Sequence, residues 1–354
     1  MTTSFIAPRQ KLFGHLDRLQ ELRATGKTTA PVNVEIDLSN RCSLGCQWCH
    51  FAYTHTRGPL AGHVKPEGAV SGGDLMDYDL ATSILDQLDA AEVRSVVWAG
   101  GGEPTLHPRF DDVITYCNLD QGLYTHGGHI DDKRAALLKR RLTWAYVSLD
   151  ECDAVAYQTS KGVDRFDAVL TNIARLVAAD GPATIGVGCL LHVGNWQNIH
   201  RMVRLGRELG VDYVQFRPVI EYDMTAPGSI DGDVDWIDSA IGHLGAYRDD
   251  PFVMADVERF KRYRQWAGHG YQTCYWSAMQ TVITPNGKVW RCINKREHGD
   301  ACLGDLTIDT FADIWKRTGG SCAVDGHCRV ACRGDQSNLA LEPIMADYLH
   351  PNFV

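Results

Sequence analysis

Long apolar runs are absent from this sequence of 354 residues, in which no stretch approaches the roughly 20 residues that a membrane-spanning helix needs. The N-terminus also lacks the basic start and the apolar run of a secretory signal. Hydrophobic residues make up 44% of the chain and charged residues 22%, which is close to the average of globular proteins. These features exclude a disordered or low-complexity chain. They predict a soluble, cytoplasmic protein that does not contact a membrane.

An excess of positive charge is also lacking. The formal net charge is −9, and no run of basic residues alternating with aromatic residues occurs. Long nucleic acids are polyanions, so this charge balance argues against a nucleic-acid partner. No internal repeat with a period of roughly 20–50 residues is present, which excludes a solenoid. The length divided by about 150 residues per domain predicts about two domains.

Cysteine, by contrast, occurs twelve times. Because no export signal is present, we expect a reducing compartment, in which disulfides are rare and thiolates at short spacing bind metal instead. One group lies near the start of the chain and consists of Cys42, Cys46 and Cys49. A looser group near the end consists of Cys274, Cys292, Cys302, Cys322, Cys328 and Cys332.

Strand-like and helix-like segments alternate along the first two thirds of the chain. Six β-like runs are predicted, at 32–38, 94–98, 122–125, 144–149, 184–191 and 213–216. Helical periodicity separates these runs, which indicates a parallel sheet, and six strands are short of the eight that close a full barrel. The predicted fold class is therefore α/β, a partial (β/α)6 barrel of the TIM type with a small cysteine-bearing module at the C-terminal side. A hairpin is predicted in that module around the turn Pro285-Asn286-Gly287.

The predicted boundaries follow from these patterns. They are an N-terminal helical segment (1–30), the partial barrel (31–220), a helical linker (221–268), the cysteine-bearing module (269–335) and a C-terminal tail (336–354).

The first cysteine group has the spacing C-x3-C-x2-C and follows the first predicted strand. Three thiolates on one loop can bind three irons of a [4Fe–4S] cluster and leave the fourth iron open for another ligand. A zinc site with His50 as a further ligand is the alternative. The second predicted strand runs into a second loop, whose glycines allow a ligand to approach the main chain closely. That loop consists of Gly100, Gly101, Gly102, Glu103 and Pro104.

The combination of C-x3-C-x2-C after strand one and GGGEP after strand two resembles the radical S-adenosylmethionine (radical SAM) enzymes, over roughly residues 32–218. The resemblance implies that Cys42, Cys46 and Cys49 hold a [4Fe–4S] cluster whose open iron binds S-adenosylmethionine. It implies that an external one-electron donor of the flavodoxin or ferredoxin type reduces the cluster, and that the cofactor is cleaved to methionine and a 5′-deoxyadenosyl radical.

The same resemblance implies the contacts of the cofactor. The backbone of Gly100, Gly101, Gly102 and Glu103 is expected to meet its methionyl amine. Ser148, at the end of the fourth strand, is expected to contact its ribose or carboxylate. Arg217, after the sixth strand, is expected to neutralise a carboxylate.

The C-terminal cysteines follow the patterns C-x12-G-x4-C and C-x5-C-x3-C. A zinc ribbon is the generic interpretation, but the pattern also resembles the SPASM and twitch extensions of radical SAM enzymes, which hold auxiliary clusters. Position 319 is glycine where a full SPASM motif has a further cysteine, so we predict one auxiliary [4Fe–4S] cluster. Its predicted ligands are Cys274, Cys292, Cys328 and Cys332, with Cys322 as the rival for one place and Cys302 as a packing residue.

The substrate is expected to be a small polyhydroxylated molecule, such as a sugar or cyclitol, that is oxidised at an alcohol or epimerised. Cys152, just beyond the fourth strand, is a candidate hydrogen-atom donor for epimerisation, and an ordinary loop cysteine is the alternative. The loop 51–76 is a candidate substrate loop, because it carries His55, Arg57, His63 and Lys65. Radical modification of a ribosomally made peptide is the first alternative, although only about 30 residues precede strand one, too few for a leader-binding domain. A metal-stapled interaction module without enzymatic activity is the second.

Overall fold

The computed structural model describes residues 8–49, 75–219, 234–265, 268–296, 298–326, 328 and 331–346. The strands in these residues are β1 (Asn33–Asp37), β2 (Ser95–Ala99), β3 (Asp120–Thr125), β4 (Trp144–Ser148), β5 (Thr184–Leu191), β6 (Tyr213–Pro218), β7 (Val253–Ala255), β8 (Thr273–Cys274), β9 (Gln280–Ile283), β10 (Lys288–Trp290), β11 (Cys302–Asp305) and β12 (Cys322–Ala323). The α-helices are α1 (Pro8–Lys11), α2 (Leu16–Thr25), α3 (Tyr78–Ala90), α4 (Phe110–Tyr116), α5 (Asp132–Arg141), α6 (Ala154–Lys161), α7 (Phe166–Ala178), α8 (Ile199–Leu209), α9 (Trp236–Gly245), α10 (Val257–Gln265), α11 (Phe311–Thr318) and α12 (Asp335–Met345).

Ten of these strands form one sheet in the order β11-β10-β9-β1-β2-β3-β4-β5-β6-β7. The pairs from β9 through β1 to β7 are all parallel, and helices connect the successive strands from β1 to β6. Parallel neighbours need such crossover connections because the chain must return to the same end of the sheet. The six predicted strands are all present, and the predicted parallel α/β fold is confirmed.

The sheet curves around a cavity, and the helices cover its outer face. Alternate residues of each strand point outward into one large hydrophobic cluster, in which Ile36 of β1 and Trp98 of β2 are fully buried. On the inner face, Glu35 of β1 pairs with Arg333, and Arg333 lines the same cavity as Met254 of β7. Strands from both ends of the parallel run therefore reach one interior space, as in a partial barrel.

Capping residues mark the ends of several helices. The side chains of Asp77, Asp131 and Asp153 accept hydrogen bonds from the first backbone N–H groups of α3, α5 and α6. Such caps stabilise a helix by about 1 kcal/mol each. Helix α2 ends at Gly26, whose φ of 73° lies in the left-handed region that favours glycine.

The structure departs from the predicted segments in four places. The predicted N-terminal helical segment is not one continuous helix, because a short 3-10 helix (Leu12–His15) separates α1 from α2. The predicted helical linker also contains β7, which extends the parallel sheet beside β6. The predicted hairpin is present as β9 and β10, but it joins the main sheet through β1 and is not separate from the barrel. The predicted C-terminal tail begins with α12.

No helix in the described part of the chain is long and apolar enough to cross a membrane.

Candidate active site

The cysteine loop follows β1 and is held in place by the end of α6. The backbone N–H of Gly45 donates to the carbonyl of Lys161 at 2.8 Å, and that of Gln47 donates to the carbonyl of Ser160 at 2.9 Å. Helix α6 ends at Lys161. Its last carbonyls lack partners within the helix, and the cysteine loop uses two of them as acceptors.

A second attachment joins the cysteine loop to the segment after β3. The Ser43 hydroxyl lies 3.2 Å from Nε2 of His126 and 3.1 Å from Nε2 of His129. The loop is thus fixed on two sides, by α6 and by the residues that follow β3. Fixing a loop in advance lowers the entropic cost of holding a bound group in one geometry.

The three predicted cluster ligands, Cys42, Cys46 and Cys49, are all partly buried. Burial raises the pKa of the Cys42 thiol to about 12, and burial also raises that of Cys46 although the Lys161 cation opposes it. The ammonium of Lys161 is itself buried and paired with Asp150. Three thiols confined to one short loop fit a cluster that takes a separate thiolate on each of three irons.

The glycine loop lies directly against the base of the cysteine loop. The backbone N–H of Gly102 donates to the Ser39 carbonyl at 3.1 Å, and that of Glu103 donates to the Arg41 carbonyl at 2.8 Å. A Cβ atom at Gly100 would lie 2.9 Å from the Ser39 carbonyl oxygen, closer than real Cβ contacts. The glycines are therefore required for the two loops to pack, in addition to the ligand approach expected from the sequence.

The side chain of Glu103 ties the glycine loop to β3. Its buried carboxylate accepts hydrogen bonds from the hydroxyls of Thr105 and Thr125, both at 2.6 Å, and from the backbone N–H of His126 at 2.8 Å. Burial alone would raise the pKa of Glu103, but His126 and these hydrogen bonds outweigh it and hold the pKa below its usual value. The Glu103 side chain thus has a positioning role, while the sequence assigned only its backbone to the cofactor.

Arg296, from the C-terminal module, lies behind the glycine loop and was not identified from the sequence. Its Nη1 atom is 2.5 Å from Oδ2 of Asp37 at the end of β1, and both side chains are fully buried. Its Nη2 atom donates to Oδ1 of Asn40 at 3.2 Å. A Cβ atom at Gly101 would approach both Arg296 and Asn40 to 2.5 Å. Arg296 therefore links the C-terminal module to the segments that carry both loops.

The remaining predicted site residues, Ser148, Arg217 and Cys152, lie outside the cysteine loop and the glycine loop. Ser148 is partly exposed at the end of β4, in register with Gly188 of β5. Arg217 lies at the end of β6, on the inner face of the sheet, and donates a hydrogen bond to the Tyr146 hydroxyl at 2.7 Å. Cys152 is buried in the hydrophobic core, with its thiol 4.0 Å from the Asn198 carbonyl and with a pKa that burial raises to about 12. It lines none of the cavities described below.

Five cysteines of the C-terminal group line one small pocket: Cys274, Cys292, Cys322, Cys328 and Cys332. These five include all four predicted auxiliary ligands together with Cys322, the alternative ligand for one place. Cys274 in β8 lies opposite Cys322 in β12. Cys302 lies in β11 and does not line this pocket.

Side-chain amides surround this pocket. Asn338 donates to the Cys274 sulfur and Asn294 donates to the Cys332 sulfur, both at 3.3 Å. N–H donors directed at sulfur fit a thiolate that binds an iron–sulfur cluster. Within the described ranges, no three His, Cys, Asp or Glu side chains converge closely enough for one metal ion. A [4Fe–4S] cluster does not need such convergence, because each iron takes its own thiolate.

Two cavities that share several lining residues lie on the inner side of the sheet. A mouth cavity of about 240 Å³ lies between Trp48 of the cysteine loop and Asn294 and Cys332 of the C-terminal module. An inner cavity of about 460 Å³ lies inside the barrel. Both are lined by Arg217, Pro218, Arg259 and Arg333. The predicted substrate loop 51–76, with His55, Arg57, His63 and Lys65, lies outside the described residues except for its last two positions.

Two family models match the chain in succession. The Radical SAM superfamily matches residues 36–206, which contain both the cysteine loop and the glycine loop, and SPASM, an iron–sulfur cluster-binding domain, matches residues 274–333. The chain belongs to the radical SAM superfamily. It is a radical SAM enzyme with a C-terminal SPASM domain, which confirms the predicted family, S-adenosylmethionine and a [4Fe–4S] cluster as its cofactors, and auxiliary iron–sulfur binding.

Curated relatives include a tungsten-containing aldehyde ferredoxin oxidoreductase cofactor-modifying protein of Pyrococcus furiosus, 25% identical over 63% of this chain and 64% of that protein. They also include the PqqA peptide cyclase of Streptomyces rochei, 28% identical over 52% of this chain and 48% of that protein. A third is the GTP 3′,8-cyclase of Chlorobaculum tepidum, 25% identical over 56% of this chain and 58% of that protein. The chain thus spans about half to two thirds of the length of these relatives.

Among solved structures, the radical SAM fold of this chain is similar to that of Streptococcus suis SuiB bound to its precursor peptide SuiA. The TM-score is 0.62 at 15% sequence identity, over 88% of this chain and 70% of SuiB. At this identity the likeness concerns the fold alone.

Proposed function

We propose that this radical SAM enzyme modifies a peptide substrate, by removal of a hydrogen atom at the mouth cavity. The names of its relatives favour the peptide alternative over the sugar or cyclitol expected from the sequence, because PqqA peptide cyclases of two bacteria match the chain at 26–28% identity. Alcohol oxidation or epimerisation of a sugar has no such support.

The observation that carries the proposal is the position of the mouth cavity. Its wall includes Trp48, one residue before the predicted cluster ligand Cys49, and Cys332, a predicted auxiliary ligand. A substrate in this cavity is in reach of both metal-binding regions. The inner cavity adds about 460 Å³ beneath it, so one side chain of an extended peptide can enter the barrel while its main chain stays at the mouth.

The residues that would hold the cofactors are those whose surroundings fit them. Cys42, Cys46 and Cys49 would bind the first cluster, and the SPASM cysteines would bind the auxiliary one. When bound, the reduced cluster would give one electron to S-adenosylmethionine, and cleavage of a sulfonium C–S bond would yield methionine and a 5′-deoxyadenosyl radical able to remove a hydrogen atom. Electrons are proposed to come from an external donor of the flavodoxin or ferredoxin type.

The protein's own contribution is rigidity and electrostatics. Lys161 places a positive charge beside Cys46, which partly offsets the burial and the Asp150 charge that raise the pKa of this thiol. Glu103 fixes the glycine loop to β3, and Arg296 fixes Asn40 behind that loop. The main chain of the glycine loop is proposed to meet the cofactor. Ser148 is proposed to contact the cofactor from β4, and Arg217 is proposed to neutralise a carboxylate from β6.

Cys152 remains a proposal as hydrogen-atom donor for epimerisation. Its contacts are those of a packing residue, because the thiol is buried against α8 and lines neither cavity. Cys152→Ala measures this role directly. If the thiol donates hydrogen, solvent deuterium in the product is lost while cleavage of S-adenosylmethionine continues; unchanged deuterium incorporation shows that it does not donate.

The substrate class is tested by deuterium transfer. Reconstituted, reduced enzyme is supplied with S-adenosylmethionine and, in separate reactions, with perdeuterated short peptides encoded beside its gene and with perdeuterated sugars and cyclitols. The 5′-deoxyadenosine is then examined by mass spectrometry, with Cys46→Ala as the matched negative control. The proposal expects deuterium from a peptide. Deuterium from sugars or cyclitols alone would contradict it.

A further inference from the structure

The inner cavity of the barrel has an aromatic floor. Three rings lie across strand glycines: Trp144 over Gly122, Tyr213 over Gly186 and Tyr146 over Gly188, and a Cβ atom at each glycine would overlap the ring. The rings of Tyr124 and Tyr146 meet edge to face with centroids 5.1 Å apart. These contacts give the cavity rigid walls suited to the apolar part of a ligand.

The upper wall of the same cavity is strongly basic. Four basic side chains line the cavity, Lys11, Arg217, Arg259 and Arg333, against one acidic side chain, Asp256. Arg333 is neutralised by Glu35 of β1, with which it pairs. The remaining arginines, Arg217 and Arg259, lie at the level of the mouth cavity, because they line both cavities.

Neither of these two arginines has a carboxylate partner in the described part of the chain. Arg217 donates to the neutral Tyr146 hydroxyl at 2.7 Å, with its guanidinium 4.7 Å from that ring centre, and its buried Nε atom has no hydrogen-bond partner there. Arg259 uses its Nε–H for the Ala331 carbonyl at 2.9 Å, which leaves its terminal N–H groups for the cavity.

The positive charges of the two guanidinium groups also repel each other. Burial, and then the charge of Arg217, lower the pKa of Arg259 to about 10, so both remain charged at neutral pH. Two like charges held close together on the wall of a partly buried cavity are costly unless an anion joins them. A planar guanidinium binds a carboxylate through two parallel hydrogen bonds, which gives both affinity and orientation.

We propose that Arg259, with Arg217 beside it, forms an anion subsite that receives a carboxylate of the peptide substrate, from an Asp or Glu side chain or from the C-terminus. The inference rests on the proposed peptide substrate. The arginines sit at the entrance of the inner cavity and the aromatic rings below them. An acidic residue bound there fixes the register of the peptide, so that one neighbouring residue lies in the mouth cavity.

Binding of a small probe tests the subsite on the reconstituted holoenzyme with S-adenosylmethionine. The probe is radiolabelled N-acetylglutamate amide in equilibrium dialysis, with N-acetylglutamine amide and GTP as unlabelled competitors. We expect saturable binding that the glutamine analogue does not displace. Absence of saturable binding, or equal displacement by the neutral analogue, overturns the proposal. Stronger displacement by GTP than by unlabelled probe assigns the arginines to phosphate and overturns it as well.

Arg259→Gln should weaken probe binding by about tenfold to a hundredfold, since hydrogen bonds to charged groups contribute about 1.5–3 kcal/mol. Arg264→Gln is the matched control on the same helix, because Arg264 pairs with Asp235 and Asp238 at the surface. Equal binding by both variants overturns the assignment. If Arg259→Gln does not fold, displacement of the labelled probe by the two competitors on the unaltered enzyme still tests the proposal.

Different results would overturn the anion subsite and the proposed peptide substrate. Deuterium transfer from a peptide, without binding of the probe, overturns the subsite alone. Binding of the probe at Arg259, with deuterium transfer from sugars alone, supports an anion subsite and overturns the peptide. Loss of S-adenosylmethionine binding in Arg259→Gln, with its clusters intact, would assign the residue to the cofactor and overturn the subsite.

Discussion

Replacing Arg296 with methionine tests whether the SPASM domain holds the cofactor loops in place. The change leaves Asp37 fully buried without the guanidinium that lies 2.5 Å away, and it removes the hydrogen bond to Asn40. Breaking a buried ion pair by removing one partner costs about 3–5 kcal/mol, because the remaining charge stays out of water. Since proteins of this kind are stable by only about 5–15 kcal/mol, we expect a large loss for Arg296→Met.

The assay is denaturant unfolding under anaerobic conditions, followed by circular dichroism, together with the Kd of S-adenosylmethionine. Arg317→Met is the control, because its pair with Asp309 is exposed, at 53% and 41%, and such pairs contribute about 1 kcal/mol or less. The double variant Arg296→Met with Asp37→Leu removes both charges and should recover part of the loss, as a positive coupling in a double-mutant cycle. If Arg296→Met costs no more than Arg317→Met and leaves the Kd unchanged, the supporting role of Arg296 is refuted.

Three further predictions concern the loops and the barrel. Cys46→Ala should lose about four irons per chain and all cleavage of S-adenosylmethionine, while the circular dichroism spectrum and the auxiliary cluster remain; retained cleavage would contradict the ligand assignment. Gly188→Ala should destabilise the fold by about 1–3 kcal/mol, because its Cβ would overlap the Tyr146 ring, whereas Gly242→Ala, which meets nothing within 4 Å in α9, should be neutral or stabilising; equal effects would show that the ring can move. The folded state lowers the pKa of Glu103, so its stabilising contribution is complete above the ordinary value of 4.5 and is lost as the pH falls through the folded value; Glu103→Gln should show a flatter loss of stability below pH 4.5 in acid titration, and an unchanged slope would contradict the shift.

Features that depend on neighbouring residues could be predicted from the sequence. The alternation of strands and helices identified β1 to β6, because hydrophobic periodicity is a local signal. The cysteine spacing and the glycine loop after consecutive strands identified the family and its cofactors. The turn at Asn286-Gly287 identified the hairpin, and Gly287 has the expected positive φ of 78°.

Features that depend on distant residues could not be predicted in this way. Arg296 and Asn40 meet across 256 positions, and nothing in the local pattern around Arg296 distinguishes it from a surface arginine. The same holds for Arg259 and Arg217, which come together only because β6 and α10 face the same cavity. Strand β7 has three residues, too few for a periodic pattern.

The substrate class also could not be predicted from short stretches of the sequence. A polar loop after the cysteines favoured a small polar molecule, but that loop lies outside the described residues. The peptide substrate proposed above rests instead on the cavity inside the barrel and on the names of the relatives. The signal for the cavity was present as glycines inside strands β3 and β5, which indicate close approach of another group.

The most direct test of the central claim is whether the cysteine loop carries a cluster with an iron open to S-adenosylmethionine. The measurement is the yield of 5′-deoxyadenosine from the anaerobically reconstituted, chemically reduced enzyme with S-adenosylmethionine, by liquid chromatography and mass spectrometry. We predict formation of 5′-deoxyadenosine by the unaltered enzyme even without substrate, and none by Cys46→Ala. A fully loaded, reduced enzyme that never forms it would contradict the account.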